Sequence, residues 1–331
     1  METTIISDDE VKKLLNMSEA LEVVEVAFKH KGLGLVQMPA KIYLYYSKYD
    51  GDLRTMPGYL AALDVSAVKI VNVHPNNPAK RKMPTVMAVI ILIDPKTGGP
   101  LAIMGGTTIT DMRTGAAGGI AAKYLARTDS RVVGLVGAGA QARTQLASLI
   151  EVFPKLEEVR VWSRSSSTIK RFVVEMNGVF GDSCKIITSP TIKDTVKEAD
   201  IITTTTPSRT PLVMSEMVRI GTHINCIGAD AMGKQELDPK ILRKAKIVID
   251  DWEQACHSGE INVPVSQGKI CKRNIWAEIG EIVAGLKSGR QNAEEITVFT
   301  STGLAVQDAI TAKLVYDKAL SNGVGEQVRI V

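Results

Sequence analysis

Residues 131–142 read RVVGLVGAGAQA, a short apolar run that meets Gly137, Gly139 and Ala142 and then passes into a helix-like segment. Val132–Val136 has the composition of a buried parallel strand. Gly137 permits the tight turn, Gly139 lets the backbone approach a pyrophosphate, and Ala142 allows close helix-to-strand packing. The N-terminus of the following helix would present its unpaired N–H groups to the phosphates. Glycine-rich turns between strand and helix also occur without ligands, so the surroundings decide the reading.

Downstream, apolar runs at Val159–Trp162, Cys184–Thr188, Ile201–Thr204, Ile224–Ile227 and Ile247–Ile249 alternate with helix-like stretches at Ser167–Met176, Ile192–Ala199, Ser215–Arg219 and Pro239–Lys244. Regular alternation of strand and helix implies a doubly wound parallel sheet of Rossmann type. The second strand would end in an acidic residue if the adenosine ribose carried a free 2′-hydroxyl. Here the end reads Ser163-Arg164-Ser165. A guanidinium flanked by hydroxyls suits a 2′-phosphate, so NADP(H) is expected over NAD(H), with NAD(H) kept open. The plain alternative is that Arg164 is a solvated loop residue.

At 331 residues the chain exceeds what one compact core usually takes, and two domains are expected. Hydrophobic content of 45% and charged content of 23% suit an ordinary globular protein with apolar surface enough for two cores. The net charge of +4 is small for this length and its Lys and Arg are spread along the chain, so nucleic acid is not implied. The start METTIISDDE lacks a basic opening and an apolar core, and no apolar run reaches membrane-span length; a cytoplasmic protein with no membrane partner is expected. Cys184, Cys226, Cys256 and Cys271 have no CxxC spacing, and His30, His74, His223 and His257 are scattered, so no metal site is expected.

Before the glycine turn lies another unit. Residues 9–30 read as one or two helices with Ser18 as N-cap and Leu21, Val24 and Phe28 at helical spacing. From Lys41 the period becomes two: Lys41–Tyr46 and Asp52–Tyr59 flank Asp50-Gly51, a tight-hairpin signal, and Ala67–Asn72, Thr85–Ile93 and Leu101–Gly105 continue a meandering sheet. Lys41, Arg54 and Lys69 lie on or beside these strands. Such cations can grip a carboxylate, and a partly buried lysine can act as a base; taken singly, each could equally snorkel from a half-exposed face. Arg113 and Thr114, in TDMRTGAA, stand where the chain passes through a helix at Ala116–Leu125 into the nucleotide-binding domain, and are candidates for the cofactor phosphates. Gly228-Ala229-Asp230 follows the Ile224–Ile227 strand, where a carboxylate can manage protons; Asp230 could also merely cap a loop. In the C-terminal stretch EITVFTSTGLAVQD, Ser301 and Thr302 either approach a nicotinamide or cap the final helix, which is expected to return to the first domain.

Taken together, these segments resemble the ornithine cyclodeaminase and mu-crystallin family, most nearly its archaeal alanine dehydrogenase members. The resemblance runs almost end to end through QMPAKIYLYY, GDLRTMP, VKIVNVHPNNP, MRTGAAGGIAAKYLA, GAGAQA, TTTTPSRTP, THINCIGADAMGKQELD, DDWEQACHSGEIN and FTSTGLAVQDA. It implies a Rossmann domain, residues 115–303, inserted in an α+β substrate and dimerisation domain of residues 1–114 completed by 304–331, and a homodimer. It implies that Lys69 and Asp230 are catalytic, that Lys41 and Arg54 hold the substrate carboxylate, and that Arg113, Ala140, Gln141, Ser163, Arg164, Ser165, Ile227, Gly228 and Ala229 contact the dinucleotide; Thr114, Gly137, Gly139, Thr205 and Ser301 join them as candidate contacts. The resemblance also marks one departure, an acidic residue in an archaeal alanine dehydrogenase where this chain has Ser163, whereas mu-crystallin-like relatives with a basic residue in this loop tend to use NADPH. The implied activity is reversible oxidative deamination of alanine. Alternatives are ornithine cyclodeamination with recycled NAD, NADPH-dependent reduction of a cyclic ketimine such as pyrroline-2-carboxylate, and non-catalytic dinucleotide-dependent binding.

Overall fold

A computed structural model describes residues 2–331. The chain begins with β1 (Glu2–Ile6), α1 (Asp8–Leu14), α2 (Met17–Gly32), β2 (Val36–Gln37), β3 (Ile42–Tyr46), β4 (Gly51–Leu60), β5 (Val65–Val73) and α3 (Asn77–Arg81). It continues through β6 (Val86–Ile93), β7 (Pro100–Gly105), α4 (Thr107–Leu125), β8 (Val132–Val136), α5 (Ala140–Val152), β9 (Glu158–Trp162), α6 (Ser166–Phe180), β10 (Lys185–Thr188) and α7 (Ile192–Val196). There follow β11 (Ile201–Thr204), β12 (His223–Cys226), α8 (Pro239–Lys244), β13 (Lys246–Ile249), α9 (Trp252–Ser258), α10 (Asn262–Ser266), β14 (Ile275–Glu278) and α11 (Ile279–Val283). The last elements are β15 (Thr297–Thr300), α12 (Ala305–Asn322) and β16 (Glu326–Arg329). The chain divides into one unit that runs to Arg113 and resumes at Leu304–Val331, and a second at Thr114–Gly303.

In the first unit the sheet order is β16-β1-β7-β6-β5-β4-β2, with β3 paired to β4. Strands β4 to β7 form an antiparallel meander, while β1 lies parallel to β7. Strict alternation puts Arg54, Met56, Gly58 and Leu60 of β4 and Val65, Ala67, Lys69 and Val71 of β5 on one buried face. Helix α12 covers that face, and Gly58 makes the approach feasible: a Cβ there would stand 3.0 Å from the Ala305 backbone. Met56, Val71, Ala88 and Ala305 form the apolar seam.

The second unit is a parallel sheet of order β10-β9-β8-β11-β12-β15-β13-β14. Its strands carry apolar residues on both faces, as a sheet sandwiched by helices requires. One face packs Val133, Leu135, Val159 and Val161 against Leu146 and Leu149 of α5 and Phe172 of α6. The other packs Val136, Ile202, Ile224 and Val298 against Ile241 of α8 and Ala255 of α9. This is the doubly wound α/β fold that the strand spacing implied.

Several local expectations need correction. The N-caps of the first two helices are Ser7, in a capping box with Glu10, and Asn16, whose Oδ1 accepts from Glu19 N at 2.9 Å; Ser18 lies inside α2. Between β3 and β4 a turn of 3-10 helix at Ser47–Tyr49 precedes Asp50, which takes the left-handed conformation, while Gly51 opens β4. Asp50, not the glycine, therefore supplies the turn's positive φ. Ser215–Met217 is a single 3-10 turn, too short for the helix expected there. Helix α4 begins at Thr107, so Arg113 and Thr114 sit within a continuous helix.

Candidate active site

In the first unit, the alternation that buries β5 carries Lys69 inward, where its side chain is 0% exposed. Its Nζ donates to Asp308 Oδ1 of α12 at 2.7 Å, and Arg113 Nε of α4 donates to the same oxygen at 2.9 Å. Arg113 Nη1 also donates to Gln307 Oε1 at 3.3 Å. Burial is the main force on the Lys69 ammonium; repulsion from Arg113 and Lys41 adds to it, the Asp308 carboxylate opposes it, and the pKa comes down from 10.5 to about 7. Burial likewise raises Asp111, on α4, to about 6.

Arg54 pairs with Val71 across the sheet, so it lies diagonal to Lys69 on the same buried face. Asp52 holds its guanidinium in a fork, with Nε to Oδ1 at 2.9 Å and Nη2 to Oδ2 at 3.0 Å. Tyr43 presents its ring 5.5 Å from the guanidinium carbon. Lys41 directly precedes β3. The fold thus gathers cations from β4, β5, α4 and the entry to β3, and among them a lysine that can take or give a proton near neutrality. Arg113, expected on dinucleotide phosphates, is engaged in this cluster through Asp308 and Gln307.

In the second unit, Gly137 and Thr205 flank the point between β8 and β11 where strand order reverses. Open parallel sheets bind ligands at that switch point. Gly137 has φ +117°, and a Cβ on it would fall 2.3 Å from Thr205 Oγ1, so only glycine fits. Gly139 is the opposite case: a Cβ there would meet nothing within 4 Å, which leaves the backbone open to an incoming group. It is also the N-cap of α5 and supplies no side-chain cap, so the first N–H groups of that helix, beginning at Ala140, remain for an anion. Arg143 braces the turn from below, with Nη1 donating to Gly139 O at 2.9 Å and Nη2 paired to Glu175 at 2.6 Å. The half-buried Gln141 follows on the first turn of α5.

Most of the other expected dinucleotide contacts follow the carboxyl ends of strands in the same parallel sheet. Thr205 Oγ1 and Ser301 Oγ are buried without hydrogen-bond partners, two polar atoms that a bound ligand would satisfy. Ile227 and Ala229 are buried and Gly228 is half-buried just after β12, and Asp230 beyond them pairs with Lys234. After β9, Ser163 is half-buried, Arg164 is exposed, and Ser165 accepts from Thr168 N at 3.3 Å as the N-cap of α6. Thr114, at the first-turn end of this unit's share of α4, is buried, and its carbonyl accepts from Gln145 Nε2 at 2.7 Å. Ser301 and Thr302 do not cap α12; Leu304 is its N-cap, with Gln307 accepting from Leu304 N at 2.9 Å, while Thr302 binds Asp250. The open Gly139 backbone, the uncapped α5 terminus and the two orphaned hydroxyls fit a dinucleotide.

Sequence reasoning missed Asp308, Glu236 and Glu260, all fully or almost fully buried. Asp308 left one signal, the single charged residue in the stretch GLAVQDAITA. Burial holds His223 neutral, its pKa lowered to about 3, between Thr297 Oγ1 and Asn225 Oδ1. Among the described residues no cluster of metal-ligating side chains is present, and no helix is long and apolar enough to cross a membrane.

A glycine turn at the switch point of a doubly wound sheet, in one chain with a cation-lined α+β unit, defines a class of dinucleotide-dependent enzymes. Within it, the chain belongs to the ornithine cyclodeaminase/mu-crystallin family, whose model matches residues 1–323. It is 51% identical over 329 residues to an alanine dehydrogenase from Archaeoglobus fulgidus, covering 99% of each chain. Among solved structures it superposes on an archaeal alanine dehydrogenase dimer with bound NAD at TM-score 0.95 and 50% identity, covering 100% of each chain. It matches a Thermococcus litoralis Δ1-pyrroline-2-carboxylate reductase in complex with NADH and L-proline at TM-score 0.95 and 43% identity, covering 98% of this chain and 100% of that one.

Proposed function

We propose that this protein is a nicotinamide-dependent alanine dehydrogenase, which converts L-alanine and water reversibly to pyruvate and ammonia. The 51% identity over nearly the whole of both chains to the Archaeoglobus fulgidus enzyme carries this reading. A bound nicotinamide supplies the hydride acceptor for the substrate's α carbon. Lys41 and Arg54 hold the substrate carboxylate, an orientation effect that fixes which way the α C–H faces. Lys69, poised near neutrality, takes a proton in the oxidative direction, when the imine formed from alanine adds water and releases ammonia, and returns it in the reductive direction. Asp230 shares these transfers.

The dinucleotide rests on the Gly137–Gln141 turn, Thr205, the Ile227–Ala229 loop and Ser301. The exposed Arg164 with Ser163 and Ser165 favours NADP(H) over NAD(H). The protein works as a homodimer. A relative of 50% identity is dimeric, and the open face of the first unit's sheet carries the exposed apolar Ile42, Leu44 and Val89.

Absorbance at 340 nm tests the activity. Oxidation of NADH or NADPH that requires both pyruvate and ammonium is the expected result. Oxidation with pyrroline-2-carboxylate alone, and none with pyruvate and ammonium, would replace alanine by a cyclic imine; the 43% identity to the Thermococcus litoralis reductase supports that second reading.

A further inference from the structure

In the second unit, two fully buried carboxylates lie behind the loops that leave β11 and β12. Glu236 uses both oxygens. Oε2 accepts from Thr204 Oγ1 at 2.7 Å and Gly228 N at 3.0 Å, and Oε1 accepts from Thr206 N at 2.6 Å and Thr206 Oγ1 at 2.7 Å. Its own backbone is anchored by Glu260, whose Oε1 accepts from Glu236 N at 3.0 Å and from Leu237 N at 2.7 Å. No lysine, arginine or histidine is among the hydrogen-bond or ion-pair partners of either carboxylate within the described residues.

The arrangement is specific in what it pins. The segment from Gly228 to Glu236 closes on itself through the Gly228 N to Glu236 bond and carries Asp230 inside the loop. Asn262 holds its far side, accepting from Gly233 N at 2.9 Å and donating to Lys234 O at 2.8 Å. Gly228 also touches the neighbouring loop so closely that a Cβ there would lie 2.2 Å from Thr206 O. Thr205, on that second loop, stands between the two Glu236-bound threonines. Four donors converge on Glu236, two of them backbone N–H groups that cannot reverse their polarity, and only a carboxylate accepts all four.

We infer that Glu236, seated on Glu260, is a positioning residue: it fixes the Thr204–Thr206 and Gly228–Asp230 loops in the one arrangement that receives the dinucleotide. This rests on the reading that Thr205 and Gly228 contact the dinucleotide. Burial pushes the Glu236 carboxyl up to about 7, against the pull of its donors, as expected of a carboxylate held in a dry setting for its geometry.

The test measures NADH and NADPH affinity of the full chain by fluorescence titration, with thermal unfolding recorded in parallel, for wild type, Glu236→Gln, Thr206→Ala and Thr206→Ser. In Glu236→Gln an amide NH2 must face either Thr206 N–H or Gly228 N–H, and Kd is expected to rise about tenfold or more in protein that remains folded. Thr206→Ala is expected to weaken binding by about threefold to tenfold, and Thr206→Ser, which restores the hydroxyl, to bring Kd back to within about twofold of wild type. The serine rescue separates positioning from a general loss of stability, and the threonine pair decides the matter if Glu236→Gln does not fold. A folded Glu236→Gln with wild-type Kd, or alanine and serine variants of equal affinity, would overturn the inference. A wild-type chain that binds neither dinucleotide would instead overturn the cofactor reading beneath it.

Discussion

The two units surround their buried titratable groups by opposite means. In the first, Lys69 and Arg113 share one carboxylate oxygen of Asp308, so charge is met by charge. In the second, Glu236 and Glu260 are met by backbone amides and threonine hydroxyls. Burial and the Arg113 charge, working against the Asp308 carboxylate, bring the Lys69 ammonium near neutrality, which suits a group proposed to do chemistry. Dipolar solvation fixes a geometry without supplying a mobile counter-charge, which suits a group that holds loops in place.

The strongest way to break this contrast is to remove the reactive group. Lys69→Ala is expected to lower kcat by about 10³-fold while dinucleotide affinity stays near wild type, because the proposed general acid and base is lost and the Gly137 turn is untouched. Retained turnover in a 340 nm assay would take the chemistry away from the first unit.

Neutralising the carboxylates comes next. Asp308→Asn leaves two buried cations without a counter-charge, and urea unfolding is expected to register a loss of about 3–5 kcal/mol. Glu260→Gln differs, because Glu260 meets backbone N–H groups: Oε1 accepts from Glu236 N and Leu237 N, Oε2 shares Glu236 N at 3.0 Å, and a glutamine that keeps its oxygen at Oε1 still meets both donors. Its expected cost is about 1–2 kcal/mol, since one acceptor still meets both donors while the new NH2 stands against Glu236 N–H, and burial with the neighbouring Glu236 already holds the Glu260 carboxyl well above the usual carboxylate range. Equal losses for the two variants would erase the distinction.

Acid and base sharpen the comparison further, because the two sites give stability slopes of opposite sign. Lys69 has its folded pKa depressed to about 7 against 10.5. Between those values the unfolded chain holds a proton the native state has released, so this group makes stability rise with pH. Glu236 has its folded pKa raised to about 7 against 4.5. Between those values the native state holds the extra proton, so this group makes stability fall as pH rises. Lys69→Met should flatten the slope above pH 7, and Glu236→Gln the slope below it, in urea titrations across pH. The same Lys69 shift predicts that the oxidative rate rises through about pH 7, where the amine becomes neutral.

What was legible in the sequence follows the same division. The second unit announced itself because parallel strands buried on both faces are continuous apolar runs, and because Gly137 takes a backbone conformation and a close approach to Thr205 that other residues cannot. The meander of the first unit was legible from its period of two, which put Lys69 and Arg54 inward on neighbouring strands. The edge strands β1 and β16 were not, since short strands at a sheet margin carry little apolar pattern; β1 is also set beside β7 by a pairing almost a hundred residues distant. Asp308 lies 239 residues from Lys69, and Glu236 owes its role to donors 30 and 32 residues away. Polar residues acquire such meanings only from the tertiary fold, whereas an apolar period is written locally.

The smallest expected effect lies at the surface, where neither mode of burial operates. Arg164 is exposed at the loop after β9, so any grip on a 2′-phosphate works through charge-assisted hydrogen bonds weakened by water and salt. Arg164→Ser is therefore expected to shift the NADPH-to-NADH ratio of kcat/KM by about tenfold toward NADH, with little change in the value for NADH itself. Raising the salt concentration should narrow the wild-type ratio in the same direction, because screening reaches this cation and does not reach Lys69 or Arg113 in the interior. A ratio unchanged by both the substitution and salt would place cofactor choice in the half-buried Ser163 next to it, where neighbouring groups rather than solvent set the strength of each hydrogen bond.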